Sequence, residues 1–387
     1  MPISKTQRLN TSAEVVIVGG GVIGLTIARA LALRGGVDVM LIERGRPGTE
    51  ASWAAGGILA PQVEADSADD FFRLACASRD LYPAFADSLK EQTGIDVELD
   101  RTGTLYLGFT TEDEHELRRR FEWQSSEGLS VEWLTAHEAQ NLESCISAKV
   151  RCGLRFPNDY QIENRRMVQA LLLANKKLGV RLVTDCSVNE LRIENGKVSG
   201  VDSSSGFIAA LIVVVAAGAW TSLIKSMPLE IEVEPIRGQM LCFEARPQIA
   251  RHVIYSSRGY LVPRRDGRLL AGSTTERVGF DKHVTDDGIS ALKSMAMEIL
   301  PVIAALPLAE SWAGFRPRSA DNFPVLGPCE EIDGLFYATG HYRNGILLAP
   351  ITGELIAGAI LDQTVPAMLD AFTPNRFADG VRRAVGV

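Results

Sequence analysis

The sequence predicts an α/β chain in two parts, a discontinuous domain on a parallel sheet and a second α+β domain on an antiparallel sheet. Three observations carry this. Near the start, the apolar run Val15-Val-Ile-Val18 after Glu14 meets Gly19, Gly21 and Gly24, then a stretch of apolar residues at helical spacing, then Asp38-Val-Met-Leu-Ile-Glu43. Further on, Leu211-Ile-Val-Val-Val-Ala-Ala-Gly218 and Gly334-Leu-Phe-Tyr-Ala-Thr-Gly340 are continuous apolar runs, as strands buried on both faces of a parallel sheet are. Between Glu230 and Gly272 the pattern differs. Gly259-Tyr-Leu-Val-Pro263, the turn Asp266-Gly267 and Arg268-Leu-Leu-Ala-Gly272 read as an antiparallel hairpin outside that sheet. A chain of 387 residues suits two domains. The expected division is 1–64, 150–229 and 317–387 for the first and 65–149 and 230–316 for the second.

The first element is a strand, glycine turn, helix and second strand ending in an acid, which is a Rossmann-like dinucleotide-binding unit. Gly19 permits the sharp turn, Gly21 lets backbone approach a pyrophosphate at the helix N-terminus, and Gly24 lets helix pack on strand. Glu43 is placed to accept hydrogen bonds from a ribose, and its charge would repel the extra phosphate of NADP, so FAD or NAD is favoured. Next come expected helices over Phe71–Thr93, with a kink at Pro83, and Thr111–Ser126, opened by the box Thr111-Glu-Asp-Glu114. His137 sits in a capping box, Thr135-Ala-His-Glu138. Asn164 is expected to cap a helix ending at Gly179, followed by strands over Val180–Val183 and Ser187–Ile193 and a hairpin at Asn195-Gly196. Asn344–Leu361 reads as the last helix.

Composition narrows the chemistry. The net charge of −8 and pI near 5.4 disfavour a nucleic-acid partner, whose phosphates call for a basic excess. The longest apolar run, Phe207 to Ala217, is far short of a membrane span, and Met1–Asn10 lacks a signal-peptide core, so a cytoplasmic protein is expected. Six scattered cysteines form no CxxC pair, and the five histidines form no ligand cluster, so no metal is expected.

Three further blocks carry a resemblance. They are Ala51-Ser-Trp-Ala-Ala-Gly-Gly-Ile-Leu-Ala-Pro61, then Trp312-Ala-Gly-Phe-Arg-Pro-Arg318 with Asp321-Asn-Phe-Pro-Val-Leu-Gly327, then Ala338-Thr-Gly-His-Tyr-Arg-Asn-Gly-Ile-Leu-Leu-Ala-Pro350. With the N-terminal glycines they span nearly the whole chain and resemble the D-amino-acid-oxidase-like flavoenzymes, and within them the glycine oxidases. The resemblance implies a discontinuous FAD-binding domain. It places Val22, Ile23, Glu43, Arg44, Ala51, Ser52, Gly56, Gly57 and Ile58 along FAD, with the Val188 backbone facing the adenine. The residues agree with this. Small side chains at Ala54 through Gly57 let backbone amides approach a ring or phosphate. His341, Tyr342, Arg343, Asn344, Gly345, Ile346 and Leu347 join a strand end to a helix start, whose amides can meet negative charge on a reduced flavin. No cysteine stands where sarcosine oxidases tether their flavin, so FAD is expected to be held noncovalently.

At the substrate end, Arg316 lies in an apolar, proline-bearing segment where a guanidinium seeks a planar anion. By resemblance it pairs with a substrate carboxylate, Tyr260 adds a hydroxyl, and Arg343 borders the cavity. The implied reaction is oxidation of a small amino acid, glycine first, to an imine that water converts to an oxo acid and ammonia, with oxygen or another acceptor taking the electrons. No acid–base residue is demanded, because a neutral amine supplies its own lone pair. Supply of the imine for the thiazole of thiamine is the implied pathway. Alternatives are a D-amino-acid or sarcosine-type dehydrogenase and a flavin-binding electron-transfer subunit; homo-oligomerisation is left open. Arg258 and Thr275 depart from residues found in some glycine oxidases and bear on the substrate profile.

Overall fold

In the computed structural model, which describes residues 12–378, Ser12–Val18 is a central strand of an eight-stranded sheet. Met1–Asn10 lies outside the described residues. Val15, Val16 and Ile17 are wholly buried although they alternate in direction, because each face of the sheet has its own core. Val15 and Ile17 join one apolar cluster, and Val16 and Val18 the other. The main run of strands is Val325–Pro328, Leu335–Thr339, Gly206–Val215, Ser12–Val18, Val39–Ile42 and Arg181–Val183. All neighbours from Leu335–Thr339 to Arg181–Val183 are parallel; Val325–Pro328 is an antiparallel edge. A hairpin of Val188–Glu194 and Lys197–Ser203 turns on Asn195 and Gly196, both at positive φ (51° and 75°), and pairs antiparallel with the first half of Gly206–Val215. That strand starts earlier than its apolar run suggests. Leu211 is 71% exposed, and full burial begins at Val213.

Helices Val22–Arg34, Asp70–Thr93, Asn164–Lys177 and Gly345–Leu361 cover one face and share one core. Helix Gly345–Leu361 is apolar apart from Thr352 and the exposed Glu354 because most of it is enclosed: Leu348, Ala349, Ile356 and Ala357 are fully buried. Two local expectations need correction. Helix Thr111–Ser126 is capped one residue earlier, by a reciprocal box between Thr110 and Asp113. Asn164 is not a cap; Glu163 fills that role, and Asn164 turns inward. Helix Asp70–Thr93, capped by Asp69, forms as expected with Pro83 inside it. The box of Thr135 and Glu138 forms as expected.

The second sheet also has eight strands: Leu308–Ser319, Val233–Glu244, Arg268–Gly272, Gly259–Pro263, Val253–Ser256, Thr104–Gly108, Cys152–Phe156 and Glu132–Thr135, in that order. It is antiparallel except where Val253–Tyr255 runs beside Thr104–Tyr106. Helix Asp286–Ile299 closes its core through Leu292, Met295, Ala296 and Ile299. Strand Cys152–Phe156, which the sequence division gave to the first domain, pairs here with Thr104–Gly108 and Glu132–Thr135. Helix Asp70–Thr93, given to the second, buries Leu74, Tyr82 and Leu89 in the first domain's core. Both are long-range choices of packing partner that local pattern does not record.

Candidate active site

A cavity of about 430 Å³ opens where the C-terminal ends of the parallel strands meet the face of the second sheet. One end of it is shaped by glycines. Gly19 has φ of 113°, and a Cβ there would press on the Ala216 carbonyl; a Cβ on Gly24 would strike the Gly19 carbonyl. Gly24 accordingly serves helix–strand packing and does not line the cavity. At Gly21, by contrast, an added Cβ would meet only Ser52 Oγ at 3.4 Å, so the backbone is open to close approach. Ser52 Oγ accepts the Val22 amide at 2.9 Å, leaving its own hydrogen to donate. The half-buried Glu43 carboxylate accepts the amides of Gly20 (2.8 Å) and Gly45 (3.0 Å). Arg44 stacks on Trp220, 3.7 Å from the ring centre, and pairs with Glu50 at 2.8 Å. Ile23, Ile58 and Val188 also line the cavity.

The small-residue segment Ala51–Gly57 is held from behind by a residue that sequence reasoning missed. Arg264 is 3% exposed and donates to the carbonyls of Gly56 (2.8 Å) and Ile162 (2.9 Å) and to Asn164 Oδ1 (3.1 Å). Burial presses its pKa below the ordinary arginine value, while Glu163, 3.5 Å away, acts in the opposite sense. Asn164 completes the clamp by donating to the carbonyls of Ser52 (2.8 Å) and Trp53 (3.1 Å). Gly57, at φ 70°, has no room for a Cβ against the Ile162 carbonyl.

On the opposite wall, Tyr342 (φ 46°) donates its amide to the Pro317 carbonyl at 2.8 Å, turning the chain into helix Gly345–Leu361. Asn344 gives that helix no side-chain cap, and Gly345 and Ile346 border the cavity, so first-turn amides face it without a side-chain partner. His341 lines the wall but is 3% exposed, and burial pushes its pKa down to about 3, so it is a neutral ring bonded to Thr352 at 3.1 Å. Leu347 lies outside the cavity, in the core.

Tyr260, Arg316 and Arg343 converge on the remaining end. Arg316 donates to Ser273 Oγ (2.5 Å) and the Thr274 carbonyl (3.1 Å), and no carboxylate pairs with it among the described residues. Its guanidinium lies over Gly238, where any Cβ would collide with it. Tyr260 Oη is 3.3 Å from Ser273 Oγ. Arg343 differs from Arg316: Glu64 Oε1 takes it at 3.2 Å and also accepts the Tyr255 hydroxyl at 3.0 Å. Glu64, Tyr255, Ser273 and Gly238 were not foreseen, since single residues of common type carry no motif. Arg258 pairs with Glu298 at 2.6 Å, and neither it nor Thr275 lines the cavity.

The cradle fits a dinucleotide. It offers a glycine turn open at Gly21, a carboxylate at the second strand end, and an uncapped helix terminus facing a segment of small residues. The chain matches the family model described as FAD dependent oxidoreductase over residues 14–359, and it belongs to that family. It is similar to a glycine oxidase of Pseudomonas putida, 35% identical over 346 residues, which span 89% of this chain and 93% of the relative. It is also 35% identical over 377 residues to a bifunctional protein ThiO/ThiG of Synechocystis sp., matching 95% of this chain and 55% of that one. The crystal structure of glycine oxidase from Geobacillus kaustophilus superposes with a TM-score of 0.91 at 34% identity, covering 95% of this chain and 99% of that one. The protein is therefore an FAD-dependent amino-acid oxidoreductase. Among the described residues no helix is long and apolar enough to cross a membrane, and no cluster of metal-ligating side chains occurs.

Proposed function

We propose that the protein is a glycine oxidase, converting glycine, water and oxygen to glyoxylate, ammonia and hydrogen peroxide. The observation that carries this reading is Arg316. A guanidinium without an acidic partner among the described residues, fixed by Ser273 and Thr274 in a cavity shared with the nucleotide cradle, is preorganised for a carboxylate. FAD, held without a covalent bond, supplies the two-electron acceptor. Glu43 would accept from its ribose hydroxyls, Gly21 and Val22 would border its pyrophosphate, and Ser52 through Ile58 would hold its ring system. The first-turn amides of Gly345 and Ile346 favour negative charge beside them. Arg316 and Tyr260 fix the substrate carboxylate and so orient the α-carbon. His341, neutral and bonded to Thr352, serves the shape of the wall and exchanges no proton near neutral pH. The similarity to a ThiO/ThiG protein supports a place in thiamine thiazole synthesis.

The test is an anaerobic titration of the yellow protein with glycine, sarcosine and D-alanine, followed by oxygen. Glycine should bleach the flavin at the lowest concentration, and oxygen should restore the colour with release of peroxide. A flavin that glycine leaves oxidised, or that oxygen fails to restore, ends the glycine-oxidase reading.

A further inference from the structure

Two guanidiniums border the substrate end of the cavity, and they are not equivalent. Arg316 has no carboxylate partner among the described residues, whereas Arg343 is neutralised by Glu64 at 3.2 Å. The backbone that carries Glu64 is fixed. This residue ends a short helical turn, Pro61–Glu64, whose amides at Gln62 and Val63 are accepted by the fully buried Asp159 at 3.2 and 2.9 Å. The Gln62 side chain is locked in turn to Gln124 and the Ser130 carbonyl, both at 3.1 Å. Tyr255 donates to the same Glu64 oxygen that receives Arg343, from the ring adjacent to Tyr260.

Arg343 and Glu64 side chains retain 43% and 29% of their exposure, so the pair faces the opening and a ligand can reach it. A cavity with two unopposed guanidiniums would select dianions; with one of them cancelled it presents a single net positive charge, matched to one carboxylate. We propose that Glu64 is a specificity-determining residue: by neutralising Arg343 it confines the cavity to amino acids with one carboxylate, and loss of its charge turns Arg343 into a second anion-binding site. This rests on the reading of Arg316 as the carboxylate clamp.

The experiment uses the FAD-bound protein and unreactive probes, acetate against malonate, succinate and glutarate, with affinity read from the flavin difference spectrum. These probes carry no amine, so any contact between Glu64 and a substrate ammonium drops out. Glu64→Gln keeps the size and can still accept from Tyr255. It should raise the affinity of at least one dicarboxylate relative to acetate by about tenfold to a hundredfold, the worth of a new charge-assisted contact. The gain should vanish in Glu64→Gln with Arg343→Gln. An unchanged ratio, or a gain that survives the double substitution, overturns the proposal. Arg343→Gln alone, which keeps Glu64, gives a second measurement should Glu64→Gln fold poorly. It leaves the Glu64 carboxylate with the Tyr255 hydroxyl but no cation and should weaken acetate about tenfold; unaltered acetate binding would also overturn the neutralisation argument. Arg316→Ala separates the two readings, because acetate binding unaffected by it removes the clamp itself, whatever Glu64 does.

Discussion

The proposed nucleotide end and the proposed substrate end of one cavity are built by different means. At the nucleotide end the working parts are backbone: a turn at Gly19, an open approach at Gly21, uncapped amides before Ile346, and a single acid, Glu43, already holding two amides. At the substrate end they are side chains from distant segments, Glu64, Tyr260, Arg316 and Arg343, arranged through Ser273 and Tyr255. Backbone sites tolerate exchange of many side chains but not a change of path. Side-chain sites depend on a few groups whose identity decides chemistry and charge. The seam between them is Arg264, just past strand Gly259–Pro263, which clamps the segment Ala51–Gly57.

If the nucleotide end depends on path, its most damaging substitution should be at that clamp, behind the cavity. Arg264→Ala removes one of two arginines beside Glu163, which is 3% exposed and keeps Arg268 at 2.7 Å and the Arg165 amide at 3.1 Å, and leaves the Gly56 and Ile162 carbonyls without their donor. A loss of about 3–5 kcal/mol in unfolding free energy is expected, with weaker FAD retention. Denaturant unfolding of the parent and variant measures it. A variant of parental stability would mean that the turn holds its path unaided.

At the substrate end the largest effect should come from charge and should spare FAD. Arg316→Ala is expected to lower kcat/KM for glycine by about thirtyfold to several thousandfold, or 2–5 kcal/mol, while FAD stays bound. Lysine should recover part of the binding but less of the rate, because it lacks the planar fork that orients the carboxylate. Rapid-reaction measurement of flavin bleaching against glycine concentration separates the two. Parental rate and affinity in the alanine variant would make Arg316 a structural residue.

Glu43→Ala tests the one side chain on which the nucleotide end relies. Removal of a charged acceptor should weaken FAD by about 1–3 kcal/mol, read by titrating apoprotein with FAD. Because Glu43 also ties the Gly20 and Gly45 amides, part of the loss should appear as a looser turn even without FAD, detectable as faster amide exchange there.

How much of this could be read beforehand follows the same division. The glycines and Glu43 lie within one local unit whose spacing follows from geometry, so strand, turn and helix emerged together from the sequence. Arg316, Tyr260 and Arg343 entered through a resemblance, since in isolation each is an ordinary strand or loop residue. Arg264 and Glu64 left no signal. An arginine after Val262-Pro263 reads as hairpin surface, and an acid after Gln62-Val63 reads as a solvated turn, until the two sheets are brought together. Asn164 shows the converse: its residue type suits a cap, but the tertiary demand of the Ser52 and Trp53 carbonyls takes the side chain inward.

His341 bears on whether the cavity wall is electrostatically silent. Its folded pKa, near 3, lies below the ordinary value of 6.5, so below pH 6.5 the unfolded chain binds a proton that the folded chain refuses. Stability from this residue is therefore retained above about 6.5 and falls as pH drops toward 3, by no more than about 1.4 kcal/mol per pH unit. His341→Asn, which does not titrate, should show a shallower loss of melting temperature across that window. An equally steep loss would place the acid sensitivity elsewhere.

The smallest effect expected lies where the two regions touch at the surface. Trp220, beneath Arg44 at the end of the nucleotide sheet, stacks against Phe280 of the second domain with ring centres 5.4 Å apart and planes 27° from parallel. Both rings also meet Phe315, one residue before Arg316, edge-on. If the domains are joined chiefly through the Arg264 clamp, this stack adds a modest local term, and a double-mutant cycle of Trp220→Ala and Phe280→Ala should give a coupling of about 0.5–1.5 kcal/mol in stability. The same cycle on glycine kinetics should show little coupling, because Arg316 takes its bearings from Ser273, Thr274 and Gly238 rather than from the rings. Strong kinetic coupling would instead make the aromatic contact part of the substrate end, and the boundary drawn between a backbone-built and a side-chain-built region would have to move to include it.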